Sequence, residues 1–258
     1  KILKNGGTAA DAMVAAQAVL GLVEPQSSGL GGGAFVVYYD AATGETTTFD
    51  AREKAPAAAT EDRFLNDDGN SIGFVNAWQS GLSVGVPGTP RVMEVVHERY
   101  GRKPWPRVLQ PAISLAQSGF ELTERTSSQV AGLLARNTSC EDGKRLFFRD
   151  PVAFAYFVNP DDCTAKPAGT IVTNRDYAAT MRTLQRRGSA GFYTGRIAQN
   201  IAAAVCVAES LLPRRKLGDA IRRGLRGARV PGRLEPRRWK GIPILVDGGH
   251  NPAAARSI

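Results

Sequence analysis

A glycine-rich loop between a predicted helix and a predicted strand is the feature that most constrains this chain. Four of the five residues 29–33 are glycine, which is too many for regular secondary structure. The pattern of 9–23 favours a helix before the loop, and the β-branched and aromatic residues of 34–40 favour a strand after it. A phosphate-binding fingerprint requires the opposite order, with a strand before the glycines and a helix after them. The loop therefore predicts a tight turn that lets backbone approach a neighbouring element, rather than a nucleotide site.

The N-terminal helix and the strand after the loop belong to a mixed pattern. Thr8 and Asp11 have the spacing of a capping box at the start of the first helix. A second strand over 45–51 follows the first after a turn of four residues, which predicts a hairpin. Amphipathic periodicity predicts further helices at 90–100, 104–118, 120–137, 176–187 and 194–208. The pattern as a whole indicates an α/β fold.

Composition excludes several classes of protein. With 43% hydrophobic and 22% charged residues, and only 28 Gly and 15 Pro in 258 residues, the chain is neither disordered nor fibrous. Its longest apolar run, 201–208, is far shorter than the roughly 20 residues that cross a bilayer. No membrane span is therefore predicted.

Positive charge is concentrated toward the C-terminus. Residues 201–258 hold 12 of the 33 basic residues but only 4 of the 24 acidic ones. Such asymmetry is typical of an interaction arm, a nucleic-acid patch or a join between unrelated segments. Within this tail, 214–227 has leucine and isoleucine at helical spacing on an arginine-rich surface, which predicts a basic amphipathic helix. We therefore divide the chain into two regions, 1–205 and 206–258.

Three cysteines allow one disulfide. Cys140 and Cys163 bracket a loop-rich stretch and can pair in an oxidising compartment. Cys206 lies in an apolar predicted helix and is expected to be a core thiol. The spacing matches no zinc motif, so no metal is predicted.

Arg52 is the residue that the pattern singles out for ligand binding. It lies at the exit of the second strand, where its planar guanidinium can present paired N–H donors to a substrate carboxylate. The alternative is a surface ion pair with Glu53 or another acid, and the residue pattern alone favours that alternative.

Five phrases stand out along the first region: GGTAADA at 6–12, EPQSSGLGGG at 24–33, AREKAPAA at 51–58, GVPGT at 85–89 and GFYTG at 191–195. In order and spacing they resemble the large subunit of the gamma-glutamyltranspeptidases, also called glutathione hydrolases. The resemblance extends over about residues 1–205, and its first three phrases together are highly specific.

This resemblance implies an N-terminal-nucleophile hydrolase with a four-layer αββα sandwich, of which the chain supplies the large-subunit part. In such enzymes a proenzyme cuts itself, so that a threonine begins a small subunit and attacks the γ-glutamyl carbonyl of glutathione or a related compound. The acyl group then passes to water or to an amino acid or peptide, without a cofactor. By the same resemblance Arg52 grips the α-carboxylate of the glutamyl group. Family members are commonly periplasmic or secreted, which suits a disulfide between Cys140 and Cys163.

The threonine nucleophile of the family has no match in this sequence. The only threonine run, Thr46–Thr48, falls inside the second predicted strand, where β-branched residues are expected. We therefore expect no catalytic residue in these 258 residues, a truncation before the nucleophile, a need for a small subunit, and no activity of the chain alone. Without partner strands, the sheet is expected to leave an apolar face exposed.

The tail from about residue 208 carries a second, less specific resemblance. PGRLE at 231–235 and DGGHNP at 247–252 are similar to the C-terminal domain of folylpolyglutamate synthase, a Mur-ligase relative. The resemblance implies a short, incomplete βα fragment with a vestigial ATP site formed by Arg233, Asp247 and His250.

Two alternative functions follow from the tail. An ATP-dependent ligase requires a G-x-x-x-x-G-K-[ST] loop, and Gly143-Lys144 lacks the preceding glycine. A nucleic-acid or surface-binding module would use the arginine-rich segment 214–227, but no aromatic residues alternate with its arginines. No specific nucleic acid is therefore predicted as a partner.

Overall fold

The structure of the protein is a computed structural model. It describes residues 1–56, 59–78, 80–136, 140, 150–210, 234–239 and 242–247, and of 203–210 and the last two ranges it describes the backbone alone. The chain forms two compact units. The first contains Lys1–Gly29 and Gly101–Gln185, and the second contains Leu30–Tyr100 with the described part of Arg186–Ile258. Each unit is therefore built from two separate stretches of sequence.

The helices and strands follow one another along the chain in a mixed order. They are α1 (Ala9–Val23), β1 (Ala34–Asp40), β2 (Glu45–Ala51), α2 (Phe74–Trp78), α3 (Thr89–Tyr100), α4 (Trp105–Ser118), β3 (Phe120–Glu121), α5 (Glu124–Leu134), α6 (Pro151–Phe157), β4 (Val158–Asn159), β5 (Thr164–Ala165), β6 (Ile171–Val172), α7 (Arg175–Arg187), α8 (Ala190–Tyr193), α9 (Gly195–Ser210), β7 (Leu234–Trp239) and β8 (Ile242–Asp247). Among the described residues no helix combines the length and the apolar character that crossing a membrane requires.

Helices α1 and α4 pack together at the centre of the first unit. Four buried side chains of α1 recur every four residues, as one face of a helix requires: Ala10, Val14, Ala18 and Leu22, with Asp11 and Ala15 buried beside them. Helix α4 buries Val108, Leu109, Ala112, Ile113 and Ala116. Small and branched side chains on the two buried faces let the helices approach closely.

Asp11 ties the start of α1 to the residues just before α4. Its Oδ2 accepts a hydrogen bond of 2.8 Å from the N–H of Thr8, which completes the predicted capping box. The same carboxylate accepts from the N–H groups of Arg102 and Lys103, each at 3.1 Å from Oδ2. Asp11 is fully buried. This predicted helix cap is therefore also a long-range link between two stretches of the unit.

The prediction of one helix over 120–137 is wrong at its start. Phe120 and Glu121 form a short strand that pairs antiparallel with Ile171–Val172. Helix α5 begins only after Thr123, whose side chain accepts a hydrogen bond from the N–H of Thr126 as an N-cap. The cap residue sets the boundary because it supplies the acceptor that the first turn of a helix requires.

A small apolar cluster lies beside α5 in the first unit. Val130, Phe154 and Val158 are buried in it. Cys140 and Cys163 border the cluster and are joined by a disulfide, with their Cα atoms 6.1 Å apart. The bond therefore ties two parts of the chain around this cluster.

The hairpin of the second unit matches the predicted strands. Strands β1 and β2 pair antiparallel from Ala34 opposite Ala51 to Asp40 opposite Glu45. Helix α3 covers one face of the hairpin, where Phe49 is fully buried. Tyr100 of this helix stacks on Tyr38, with ring centroids 3.9 Å apart. One face of the hairpin is therefore core.

The opposite face of β1 carries an exposed apolar stripe. Its members alternate along the strand and point away from α3: Phe35, Val37 and Tyr39, with 68%, 71% and 62% of their surface exposed. Strand β1 also lies at the edge of its sheet. The expectation of an exposed apolar face is therefore met.

The tail differs from the incomplete βα fragment that we expected. Strands β7 and β8 pair antiparallel, and β8 joins β2 in parallel, so that the sheet runs in the order β1-β2-β8-β7. Strand β7 escaped prediction because Pro236, Arg237 and Arg238 disfavour a strand, but an edge strand tolerates proline and charge. The predicted basic helix over 214–227 lies outside the described residues.

Candidate functional site

The glycine loop and the exit of β2 lie against each other in the second unit. A Cβ added to Gly33 would come within 2.7 Å of both the carbonyl oxygen of Ala51 and the Cα of Arg52. A side chain at Gly33 would therefore force the two backbones apart. This contact explains the glycine, as the predicted tight turn required.

The segment 85–89 holds the same strand exit from another side. Val86 and Lys54 form an antiparallel bridge in which the N–H of Val86 donates to Lys54 at 2.7 Å. Gly88 packs on the carbonyl group of Ala51 so closely that an added Cβ would clash with its oxygen. Three phrases that the sequence separates by tens of residues therefore meet around Ala51–Lys54.

The glycine loop and segment 85–89 also bond directly. The carbonyl oxygen of Gly32 accepts from the N–H groups of Gly88 and Thr89, at 3.0 and 3.1 Å. The Thr89 hydroxyl donates to the same oxygen at 3.0 Å, and Thr89 is buried. These three hydrogen bonds, made by backbone or by a buried side chain, hold Gly32 against the start of α3.

Arg52 lies on this framework with its side chain 55% exposed. Its backbone N–H donates to Oδ1 of Asp50 at 3.0 Å, which orients the strand exit. Its Nε lies 3.5 Å from Oε2 of Glu53. This is the ion pair that the sequence offered as the alternative; it is made through Nε, to a Glu53 oxygen that is buried and accepts no hydrogen bond among the described residues. The guanidinium therefore keeps donors that a carboxylate ligand can reach.

Tyr193 brings the fifth phrase to the same place, a contact that sequence reasoning missed. Its hydroxyl donates to the carbonyl oxygen of Pro87 at 2.6 Å. Burial raises the pKa of the Tyr193 phenol well above its usual 10, and Glu94 raises it further against the opposing effect of Arg91. Tyr193 is therefore a neutral donor at ordinary pH. The only sequence signal for it was its position within GFYTG.

Glu94 and Ser189 form a second link that the sequence did not reveal. The N–H of Ser189 donates to Oε1 of Glu94 at 3.0 Å, and its hydroxyl donates to Oε2 at 2.5 Å. Arg91 donates to the same Oε2 at 2.5 Å. The buried Ser189 thereby fastens the start of α8 to α3.

Of the threonine run and the residues assigned to an ATP site, the structure describes only part. Thr47 is buried in β2 and accepts a hydrogen bond of 3.1 Å from the Tyr100 hydroxyl, so its oxygen is engaged in the core. Of the predicted ATP contacts, Arg233 and His250 lie outside the described residues, and for Asp247 only its backbone in β8 is described. In the described part of the chain no group of histidine, cysteine and acidic residues is placed to hold a metal ion.

Comparison with known proteins identifies relatives of most of the chain. The gamma-glutamyltranspeptidase family matches residues 1–218. The "Glutathione hydrolase proenzyme" of Bacillus subtilis strain 168 is 33% identical over 204 residues, covering 79% of this chain and 32% of the relative. The chain therefore spans about a third of the length of such curated relatives.

Solved structures agree with the sequence comparison. The gamma-glutamyltranspeptidase of Helicobacter pylori superposes with a TM-score of 0.69 at 32% identity, covering 78% of this chain and 54% of that one. The Bacillus anthracis transpeptidase CapD gives a TM-score of 0.62 at 25% identity, covering 98% of this chain and 71% of that one. The structural neighbours are thus proteins of the N-terminal-nucleophile hydrolase type.

The expected likeness of the tail to folylpolyglutamate synthase gains no support from these comparisons. The gamma-glutamyltranspeptidase match runs to residue 218, into the region assigned to the ligase-like tail. The CapD structure, moreover, covers nearly the whole chain. A short phrase such as DGGHNP specifies only a turn and a helix cap, which unrelated proteins share.

Proposed function

Since the chain belongs to the gamma-glutamyltranspeptidase family, we propose that it takes part in γ-glutamyl acyl transfer by binding the glutamyl end of the substrate. The observation that carries this proposal is the meeting of four family-like phrases around Arg52, whose side chain is 55% exposed. In this proposal Arg52 binds the α-carboxylate of glutathione or another γ-glutamyl compound through charge-assisted hydrogen bonds.

The acyl transfer itself follows the order that the family resemblance implies. A threonine hydroxyl attacks the γ-glutamyl carbonyl carbon while the threonine's own α-amine accepts the proton. The amide bond breaks, the leaving amine takes up a proton, and a glutamyl ester remains. Water or the amine of an amino acid or peptide then attacks the ester and frees the threonine.

Residues 1–258 are proposed to contribute substrate binding and not the nucleophile. No threonine in them matches the family nucleophile, and the hydroxyl of Thr47 is engaged with Tyr100. This polypeptide alone is therefore proposed to be inactive, because loss of the nucleophile removes most of the rate of such an enzyme.

A small subunit is the proposed partner, and the apolar stripe of β1 supports a place for it. Phe35, Val37 and Tyr39 are largely exposed, and a contiguous exposed apolar patch commonly marks an interaction site. A second sheet packed there would bury the stripe and extend the fold toward the αββα sandwich. The proposed compartment is the periplasm or the exterior of the cell, which the Cys140–Cys163 disulfide supports.

Titration with glutathione tests the role of Arg52. R52A is expected to weaken binding by about tenfold or more, because a charge-assisted hydrogen bond contributes roughly 1.5–3 kcal/mol. R52K should recover part of the affinity, since lysine keeps the charge but loses the planar fork. Isothermal titration calorimetry on the 258-residue chain measures all variants.

Arg125 offers a matched control. Its side chain is 64% exposed and its Nε lies 3.8 Å from Oε2 of Glu24, so that it resembles Arg52 in charge, exposure and pairing. R125A is expected to bind glutathione like the parent chain. Equal affinities of R52A and the parent, or absence of binding by the parent, would contradict the proposal.

A further inference from the structure

The position of Arg52 depends on backbone contacts that lie outside its own strand. Beyond Ala51 the chain leaves β2, and the bridge between Lys54 and Val86 is the next backbone pairing. The segment that contains Val86 and Gly88 therefore limits where the backbone of Arg52, and with it the base of the side chain, can lie. Whatever holds this segment also sets the geometry of Arg52.

Pro87 lies at the centre of that segment. Its neighbour on one side, Val86, pairs with Lys54, and its neighbour on the other side, Gly88, packs on Ala51. Proline has no N–H, so its carbonyl oxygen is its only backbone group for hydrogen bonding. That oxygen accepts the 2.6 Å bond from the Tyr193 hydroxyl.

Tyr193 is itself held from two directions. Phe192, its neighbour in α8, is buried, and the start of α8 is fastened through Ser189 to Glu94 of α3. Gly188 has a φ of +59° and approaches the Glu94 carboxylate so closely that a side chain there would clash with it. The tyrosine hydroxyl is therefore presented by a braced element and not by a free loop.

We propose that Tyr193 is a positioning residue for the proposed carboxylate site, acting through Pro87 on the strand exit that carries Arg52. The inference rests on the proposed function for its consequence in ligand binding. The structural claim, that Tyr193 stabilises the bridge between Lys54 and Val86, depends only on the observed contacts.

Y193F and Y177F form a matched pair that isolates this effect. Tyr177 also donates its hydroxyl to a backbone carbonyl, that of Ala18 at 2.7 Å, but it lies in the first unit. Both variants lose the hydroxyl's bond to a backbone carbonyl oxygen and keep the ring, and Y193F also loses the contact of its hydroxyl with the Arg91 backbone. Any general consequence of losing such a bond is therefore common to the two, and a consequence at Arg52 is expected only for Y193F.

The test combines amide hydrogen exchange with glutathione titration of the 258-residue chain. In Y193F, exchange at the N–H groups of Lys54 and Val86 is expected to rise about three- to tenfold, the range that loss of one hydrogen bond allows. Glutathione affinity is expected to fall by a similar factor. Y177F should change neither quantity, and R52A should lose binding without altering exchange at the bridge.

The outcomes separate the positioning role from the proposed function. Unchanged exchange at Lys54 and Val86 in Y193F would overturn the inference, as would parent-like affinity of Y193F while R52A has lost binding. Should R52A itself bind normally, the proposed function fails, and the exchange data still decide whether Tyr193 braces the bridge. If Y193F does not fold, S189A provides the same test through the loss of the Glu94 contact.

Discussion

The buried carboxylate of Asp11 shows how one residue can serve a local and a distant purpose. Burial by itself would raise its pKa, but N–H groups of Thr8, Arg102 and Lys103, with the Thr8 hydroxyl, outweigh that effect and lower the pKa below 3.8. A folded-state pKa below the unfolded value means that ionised Asp11 stabilises the fold above about pH 3.8. This stabilisation is lost as the pH falls through the lower, folded-state pKa.

D11N is expected to destabilise the chain by about 1–3 kcal/mol at pH 7, because the amide side chain cannot accept all of these donors. The difference between D11N and the parent should shrink as the pH is lowered below about 3.8. Urea unfolding followed over a pH series measures both effects. D162N is the control, since Asp162 is an exposed carboxylate. Its pKa is lowered chiefly by hydrogen bonds from Thr164. A D11N chain as stable as D162N at pH 7 would contradict the role of Asp11.

At the scale of elements, the hairpin of β1 and β2 has two faces that differ in what covers them. Phe49 and Tyr38 lie on the face covered by α3, whereas Val37 lies on the exposed face. The alternation of a strand predicts two faces but does not say which one is buried. Here the packing of α3 determines which face of the hairpin is buried.

Replacing valine by alanine at a buried and at an exposed position tests directly which side chains are packed. V96A, at a buried position of α3, is expected to cost about 2 kcal/mol through lost burial and a cavity. V37A, at the exposed stripe of β1, should cost less than about 1 kcal/mol. Urea denaturation of both variants gives the values. Equal losses would mean that the stripe is buried in the isolated chain.

At the scale of the whole molecule, the chain spans about a third of the curated relatives that it matches. The second unit contains the framework around Arg52 and also the strand that carries the exposed stripe. Substrate binding and partner binding are thus proposed for a single unit. Acyl transfer would then require the nucleophile from the partner.

A chromogenic γ-glutamyl anilide offered to the purified 258-residue chain is expected to release no product. The physical reason is that no threonine here matches the family nucleophile, so no glutamyl ester is expected to form. A full-length glutathione hydrolase assayed in parallel confirms that the substrate is competent. Steady release of the anilide, together with a new N-terminal threonine detected by mass spectrometry, would refute this expectation.

The sequence by itself determined the features that depend on neighbours along the chain. Helix α1 and its cap at Thr8, the strands of the hairpin and the glycine-rich turn were predictable because capping, alternation and turn formation act within a few residues. The family-like phrases placed Arg52 at the strand exit for the same reason. For Cys140 and Cys163 the sequence predicted only that a disulfide was possible, since spacing allows such a bond without requiring it.

Only the tertiary structure decided which distant groups meet. The N–H groups of Arg102 and Lys103 reach Asp11, and Tyr193 reaches Pro87, across roughly a hundred residues of chain. Strand β7 was not predicted for a related reason. Its proline and arginines are compatible with a strand only at a sheet edge. Such contacts depend on how elements pack in three dimensions. Because hydrogen-bond donors and acceptors occur in every segment, local sequence patterns do not identify which distant partner each group contacts.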